Sequence, residues 1–209
     1  MRNKKILATV ILVSISVGMI LAIRALKPDP AELLKTRNAE RSQGSEKAPI
    51  WITEYFDYQC PPCATARTIL EKAMTEHPGQ IYLQARFFPL PAHKNGTRAA
   101  LFAECASHQK GKFWKFHEEM LKRQDEWAKD NYAIFKFTSY AESIGMNLKQ
   151  LDACVHDPKT EADVAEEKKK AVAIGVQMTP TFYVNGKMVV GAKALLEEIK
   201  AVLDKKEAS

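Results

Sequence analysis

The sequence has no second cysteine pair to match Cys60-Pro61-Pro62-Cys63. A closed zinc site needs one, or a His-x3-5-His, because the metal takes four protein ligands. The histidines, His77, His93, His108, His117 and His156, are too scattered to supply the missing half. No metal and no cofactor is therefore expected, and the pair is left for other chemistry. There is no internal repeat and no low-complexity tract, which argues against a solenoid or a disordered chain. Acidic residues are missing from positions 1–27, where Arg2, Lys4, Lys5, Arg24 and Lys27 carry +5 of the net +6. The rest of the chain is nearly neutral. That excludes nucleic-acid binding through a basic face.

Charge is also missing from Ile6 to Ile23, an apolar run of 18 residues. As a helix it would be about 27 Å long, near the hydrocarbon thickness of a bilayer. No Ala-x-Ala cleavage site follows it, only Arg24-Ala25-Leu26-Lys27-Pro28. Residues 1–23 therefore read as an uncleaved signal anchor with a cytoplasmic N-terminus. A cleaved signal peptide is the alternative. Either way the body is expected outside the cytoplasm, with the anchor making it a single-pass protein of the inner (plasma) membrane facing the periplasm. Residues 24–48 are polar, with Pro28, Pro30 and Ser42-Gln43-Gly44-Ser45, and read as a tether with a helical turn or two around Ala31–Arg41.

From residue 49 the pattern is globular, as 46% hydrophobic and 27% charged residues allow. Ile50–Phe56 is rich in β-branched and aromatic residues and reads as a buried strand. Residues 61–77 follow as a helix, and Ile81–Phe88 as a second strand stopped by Pro89-Leu90-Pro91. Residues 93–174 are helical in pattern, at about 95–109, 111–123, 131–145, 147–154 and 158–174. Two short strands at Thr181–Val184 and Lys187–Val190 are joined by Asn185-Gly186, a strong hairpin signal. A helix over about 192–205 closes the chain. The order predicts an α/β fold: a mixed sheet flanked by helices, with an all-helical insertion.

Cys60-x-x-Cys63 falls where a strand ends and a helix begins. Pro61 and Pro62 suit the first helical turn, where a missing N–H costs nothing. The helix N-terminus favours a Cys60 thiolate, the species that disulfide exchange requires. Cys63, one turn on, would face inward as the resolving thiol. An inert structural disulfide is the alternative. Thr179-Pro180 opens a strand. A cis bond there would leave the Thr179 backbone free beside Cys60, while an ordinary edge-strand proline is the other reading.

Together these residues resemble the DsbA-like form of the thioredoxin fold, over residues 49–205. The likeness rests on Glu54-Tyr55-Phe56 leading into Cys60-Pro61-Pro62-Cys63 and on the helical insertion. It rests also on Gly175-Val176, on Thr179-Pro180-Thr181-Phe182, and on the closing hairpin and helix. It implies a protein thiol–disulfide oxidoreductase in which Cys60 attacks, Cys63 resolves, and Thr179 with a cis Pro180 borders the substrate groove. Glu54 would be a buried acid serving Cys63; a strand-end carboxylate in solvent is its alternative. Implied partners are unfolded or extended protein substrates and a membrane redox protein that recharges the pair. Isomerases of this kind dimerise through an N-terminal domain. The tether has no room for one, so a monomer is expected.

One departure stands out. The family commonly has histidine where this chain has Pro62. Neither Pro61 nor Pro62 offers an N–H to the Cys60 thiolate, which predicts a weaker oxidant than the strongest DsbA proteins. The family likeness favours disulfide formation. Thr179 is more like the reductase and isomerase members, so that direction stays open. A different class, a tethered Cu(I)-delivery module using Cys60 and Cys63, is the non-enzymatic alternative.

Cys105 and Cys154 remain. Outside the cytoplasm an even cysteine count suggests pairing. The active-site assignment leaves these two to form a structural disulfide, as similar chains often do; two buried free thiols are the alternative. Phe113-Trp114 and Phe116-His117 read as the core face of an insertion helix. Glu166-Glu167-Lys168-Lys169-Lys170 reads as a solvated helix face.

Overall fold

Strand β2 (Ile50–Phe56) lies at the centre of the sheet, where its β-branched and aromatic side chains pack on both faces. The structure is a computed structural model and describes Met19 and residues 29–207. Apart from Met19, the anchor expected over residues 1–23 lies outside them. Among the described residues no helix is long and apolar enough to cross a membrane.

The sheet has five strands in the order β1-β3-β2-β4-β5. Strands β2 and β3 (Ile81–Phe87) run parallel, with Glu54 opposite Ala85. A first short helix, α1 (Pro30–Lys35), precedes the sheet, and helix α2 (Pro61–Glu76) makes the crossover that a parallel pair requires. Strand β4 (Thr181–Val184) is antiparallel to β2 and places Phe182 opposite Glu54. Strand β5 (Lys187–Val190) is antiparallel to β4. Asn185 and Gly186 take positive φ in the turn between them, as the expected hairpin demands.

Alternation along β2 sends Ile50 and Ile52 to one face. There they join Leu70 and Ala73 of α2, and Leu195 and Ile199 of the last helix, Ala192–Glu207. Tyr55 goes to the other face, with Ala171, Ile174 and Tyr183. The insertion consists of α3 (Gly96–Ser107), α4 (Phe113–Lys122), α5 (Gln124–Trp127), α6 (Ala133–Ser143), α7 (Leu148–Val155) and α8 (Pro158–Ala173). Its core, with Phe102, Phe116, Trp127 and Phe137, is continuous with Phe56, Cys60 and Cys63. The insertion thus packs directly against the redox turn. Phe113, Phe116 and His117 are buried, as expected of the helix's core face.

Three expectations are corrected. The stretch expected as a tether over residues 24–48 joins the fold before it ends. Ser42–Gln43 form β1, antiparallel to β3, and the Trp114 indole donates to Ser42 O at 3.1 Å. The charge run at 166–170 is only partly solvated. Glu167 accepts from Arg41 Nη1 at 2.8 Å, from Arg86 Nη1 at 3.2 Å and from the Phe87 N–H at 3.0 Å. Arg41 is itself buried and stacks over the Phe87 ring at 4.5 Å. Backbone pairing and a buried ion network therefore claim residues whose composition alone looks soluble. Finally, the helix expected over 111–123 ends at Lys122. Arg123, at φ −106 and ψ 23, breaks the chain into the separate α5.

Candidate active site

Asp57 turns the chain out of β2. Its Oδ1 accepts the Gln59 N–H at 2.7 Å, and its Oδ2 accepts the Leu90 N–H at 2.7 Å. His93 Nδ1 also lies 2.7 Å from Oδ2. This buried carboxylate ties the redox turn to the connection between β3 and α3. Gly96 packs so closely that a Cβ there would sit 2.8 Å from Asp57 Oδ1, so only glycine fits.

Cys60 is the N-cap of α2, extended at φ −82 and ψ 114, with Pro61 and Pro62 opening the first turn. The Cys60 N–H donates to Asp57 O at 3.1 Å, and the Cys63 N–H to Cys60 O at 3.0 Å. Both cysteines are buried free thiols. Hydrogen bonding from the Cys63 side chain, against the cost of burial, brings the Cys60 thiol down to about 6 from 9.0; Thr179 and the Cys63 N–H help. Burial pushes the Cys63 thiol well above its usual value, and its hydrogen bond to Cys60 pushes the same way. One turn of helix thus separates an easily ionised sulfur from one that holds its proton.

The Thr179–Pro180 bond is cis. Cys60 Sγ lies 3.4 Å from Thr179 O, and the Thr179 hydroxyl is buried. Glu54 sits mid-strand and 1% exposed, which removes the solvent alternative. Its Oε2 has no partner, and burial pushes its carboxyl up to about 8, opposed by Arg67. Cys105 and Cys154 are disulfide-bonded, joining α3 to α7 across a separation of 49 residues. Both lie in the insertion, and Cys105 belongs to the same core as Cys60 and Cys63.

Four residues near the site escape a reading of the sequence. Arg67 is buried on α2 and reaches Glu71 at 2.9 Å and Glu118 at 3.2 Å. Its i+4 spacing from Cys63 puts it on the same helix face, which was a usable signal. Tyr58 and His117 form a buried pair, hydroxyl to Nδ1 at 3.1 Å, with burial pushing His117 well below its usual value. Gln124 donates from the insertion to the redox turn, and nothing local in the sequence marks it. Among the described residues no group of three or more His, Cys, Asp or Glu side chains could hold a metal ion.

Comparison with known proteins follows the same line. The family model described as Thioredoxin matches residues 36–205. The chain is 33% identical over 186 residues to the Na(+)/H(+) antiporter NhaA 1 of Mycobacterium sp. (strain KMS), covering 83% of this chain and 29% of that protein. It therefore spans under a third of the length of the antiporters it matches. It is 24% identical over 217 residues to the probable disulfide bond formation protein D of Bacillus cereus, covering 98% of each. It superposes on the crystal structure of alpha-DsbA1 from Wolbachia pipientis with a TM-score of 0.73 at 23% identity, over 85% of this chain and 95% of that one. That last likeness shows the fold.

Proposed function

The chain belongs to the thioredoxin family, and from that premise we propose that it is an exported, membrane-tethered enzyme that forms disulfides in unfolded or extended protein substrates. The observation that carries this is the placing of two buried free thiols one helical turn apart, Cys60 at the N-cap of α2 against Thr179 O and Cys63 inside the core, which lowers the first thiol and raises the second. A stabilised Cys60 thiolate stabilises the reduced enzyme, and so makes the Cys60–Cys63 disulfide an oxidant.

The reaction proceeds in two exchanges. A substrate thiolate attacks Cys60 Sγ of the oxidised pair, a substrate–Cys60 bond forms, and the Cys60–Cys63 bond breaks. The electron pair leaves on Cys63, whose buried sulfur takes up a proton; Glu54, neutral below about 8, is the buried acid on the same side of the sheet that supplies it. A second substrate thiolate attacks its own mixed disulfide and releases Cys60 as a thiolate. The substrate has lost two electrons and the enzyme holds them as two thiols. A membrane redox partner would take them on. Thr179, with its carbonyl facing Cys60, and the cis Pro180 border the place where an extended peptide would lie.

The near full-length likeness to a probable disulfide bond formation protein supports the oxidising direction. The Cys105–Cys154 disulfide supports a body in an oxidising compartment, and the apolar run Ile6–Ile23 supports the anchor. The test is oxidation of a reduced two-cysteine peptide by the full chain and by Cys60→Ala. Peptide oxidation that needs Cys60 supports the reading. Insulin reduction without peptide oxidation would reverse its direction, and stoichiometric Cu(I) binding without either activity would replace it.

A further inference from the structure

The redox turn has little with which to hold itself. Of residues 60–63 only Cys60 and Cys63 have a backbone N–H, since Pro61 and Pro62 have none, and these donate to Asp57 O and Cys60 O. Beside the tie through Asp57, a second one comes from the insertion. Gln124, 5% exposed, donates through Nε2 to Tyr58 O at 2.6 Å and to Cys60 O at 3.1 Å. A neutral amide nitrogen carries two hydrogens, and two carbonyls receive them. Glutamate would set lone pairs against those oxygens, and a shorter side chain would not span to them.

The position of Gln124 is fixed without help from the turn. The break at Arg123 swings it inward. Arg123 then grips Glu126 through Nε at 2.9 Å and Nη2 at 3.0 Å, and the Trp127 indole donates to Met120 O at 2.9 Å. α5 is thus a short, braced element that offers one amide to the turn.

We infer that Gln124 is a positioning residue for Cys60, setting the stability of its thiolate and hence the oxidising strength of the Cys60–Cys63 pair. Two effects act together. The carbonyl of Cys60 belongs to the same residue as the thiolate, and its negative end disfavours that charge. The Gln124 N–H and the Cys63 N–H both face this oxygen and offset it. The same contacts hold Cys60 extended, with its sulfur at the N-terminus of α2 and against Thr179. The proposal deepens the oxidoreductase reading and rests on it for the meaning of oxidising strength.

The experiment compares the full chain in detergent with Gln124→Met, which keeps shape but removes both hydrogens, and with Gln124→Asn, which keeps the amide but shortens its reach. Leu151→Ala is the control, because it loosens the buried core of the insertion from α7 and leaves α5 and the turn with all their hydrogen bonds. Two quantities are read: the titration of the Cys60 thiolate by its ultraviolet absorbance, and the dithiol–disulfide equilibrium against glutathione. Gln124→Met is expected to move the Cys60 titration to higher pH and to shift the equilibrium toward the enzyme disulfide by about fivefold, the weight of one buried hydrogen bond. Gln124→Asn is expected to fall between Gln124→Met and wild type. Leu151→Ala is expected to lower the melting temperature and to leave both readings within about twofold. If both Gln124 variants titrate and equilibrate like the wild type, or if Leu151→Ala moves both readings as far as they do, the proposal is wrong. Should Gln124→Met not fold, Gln124→Asn decides alone. A wild type that does not exchange with glutathione at all defeats the oxidoreductase reading instead, while the Cys60 titrations still judge Gln124.

Discussion

Cys60 Sγ lies 3.4 Å from the carbonyl oxygen of Thr179, a residue 119 positions later in the chain. This contact joins the two halves of the site, the strand-to-helix turn and the loop before β4. It also gives each half a separate prediction.

Cys60 and Cys63 should not be equivalent in a trapping experiment. Cys63→Ala leaves the attacking sulfur but removes the one that resolves the mixed disulfide. Covalent substrate complexes should accumulate with Cys63→Ala and be absent with Cys60→Ala, as read on a non-reducing gel. Equal accumulation with both variants would overturn the division of roles.

Alkylation of Cys60 should follow its thiolate, with a midpoint about pH 6 in the reduced enzyme. That is above the roughly 3.5 of the strongest DsbA oxidant, so the pair should be less oxidising than that protein's roughly −120 mV. A glutathione equilibrium at or above that potential would contradict the cost assigned to Pro61 and Pro62.

Glu54 should make the stability of the reduced protein fall with pH. Its carboxyl ionises near 4.5 in the unfolded chain and is held up to about 8 in the fold. Its stabilising contribution is complete below the lower value and is lost as pH rises through the higher one. Cys60 works the other way, since its lowered thiol favours the fold at high pH. A comparison with Glu54→Gln removes that common background. The variant should gain on wild type between about pH 4.5 and 8, by a few kcal/mol at about 1.4 kcal/mol for each tenfold change in proton affinity. Denaturant titrations at several pH values check this, and parallel curves would sink it. The variant should also lengthen the life of the mixed disulfide.

Removal of the Cys105–Cys154 disulfide in a Cys105→Ala/Cys154→Ala variant should cost about 4 kcal/mol, by the chain-entropy argument for a loop of this length. The Cys60 titration should not change. Chemical denaturation under reducing and oxidising conditions gives the first number and thiolate absorbance the second.

Arg41→Ala should destabilise by about 3 kcal/mol or more, because the buried Glu167 would keep only Arg86 of its two cations and Glu104 would lose Arg41 too. Lys169→Ala, on the exposed side of the same helix, should be near neutral. Equal effects would return Arg41 to the tether.

These predictions divide by how far apart the partners lie in the chain. The strand Ile50–Phe56, the helix start at Pro61 and the Asn185-Gly186 turn are written in adjacent residues, and reading them locally is enough. Cys60, Cys63 and Pro180 are legible because their residue types are uncommon and chemically specific. Gln124, Arg67 and the Arg41–Glu167 pair are not legible in this way. The contacts that bury them reach 51 to 126 positions away, Arg67 to Glu118 and Arg41 to Glu167 at the two ends, and glutamine or arginine in a polar stretch looks like surface. Asp57 follows a strand and reads as an ordinary turn residue until Leu90, His93 and Gly96 close around it.

Strand β1 has a consequence for the molecule's life in company. Ser42–Gln43 cover Leu83 and Gln84 at what would otherwise be an open edge of the sheet. An uncovered edge is a template for another molecule's strand. The stretch just before β2 is therefore also a guard against aggregation. A protease that clipped the chain after Lys47 would part β1 from the body and, in the same cut, leave the edge of β3 sticky.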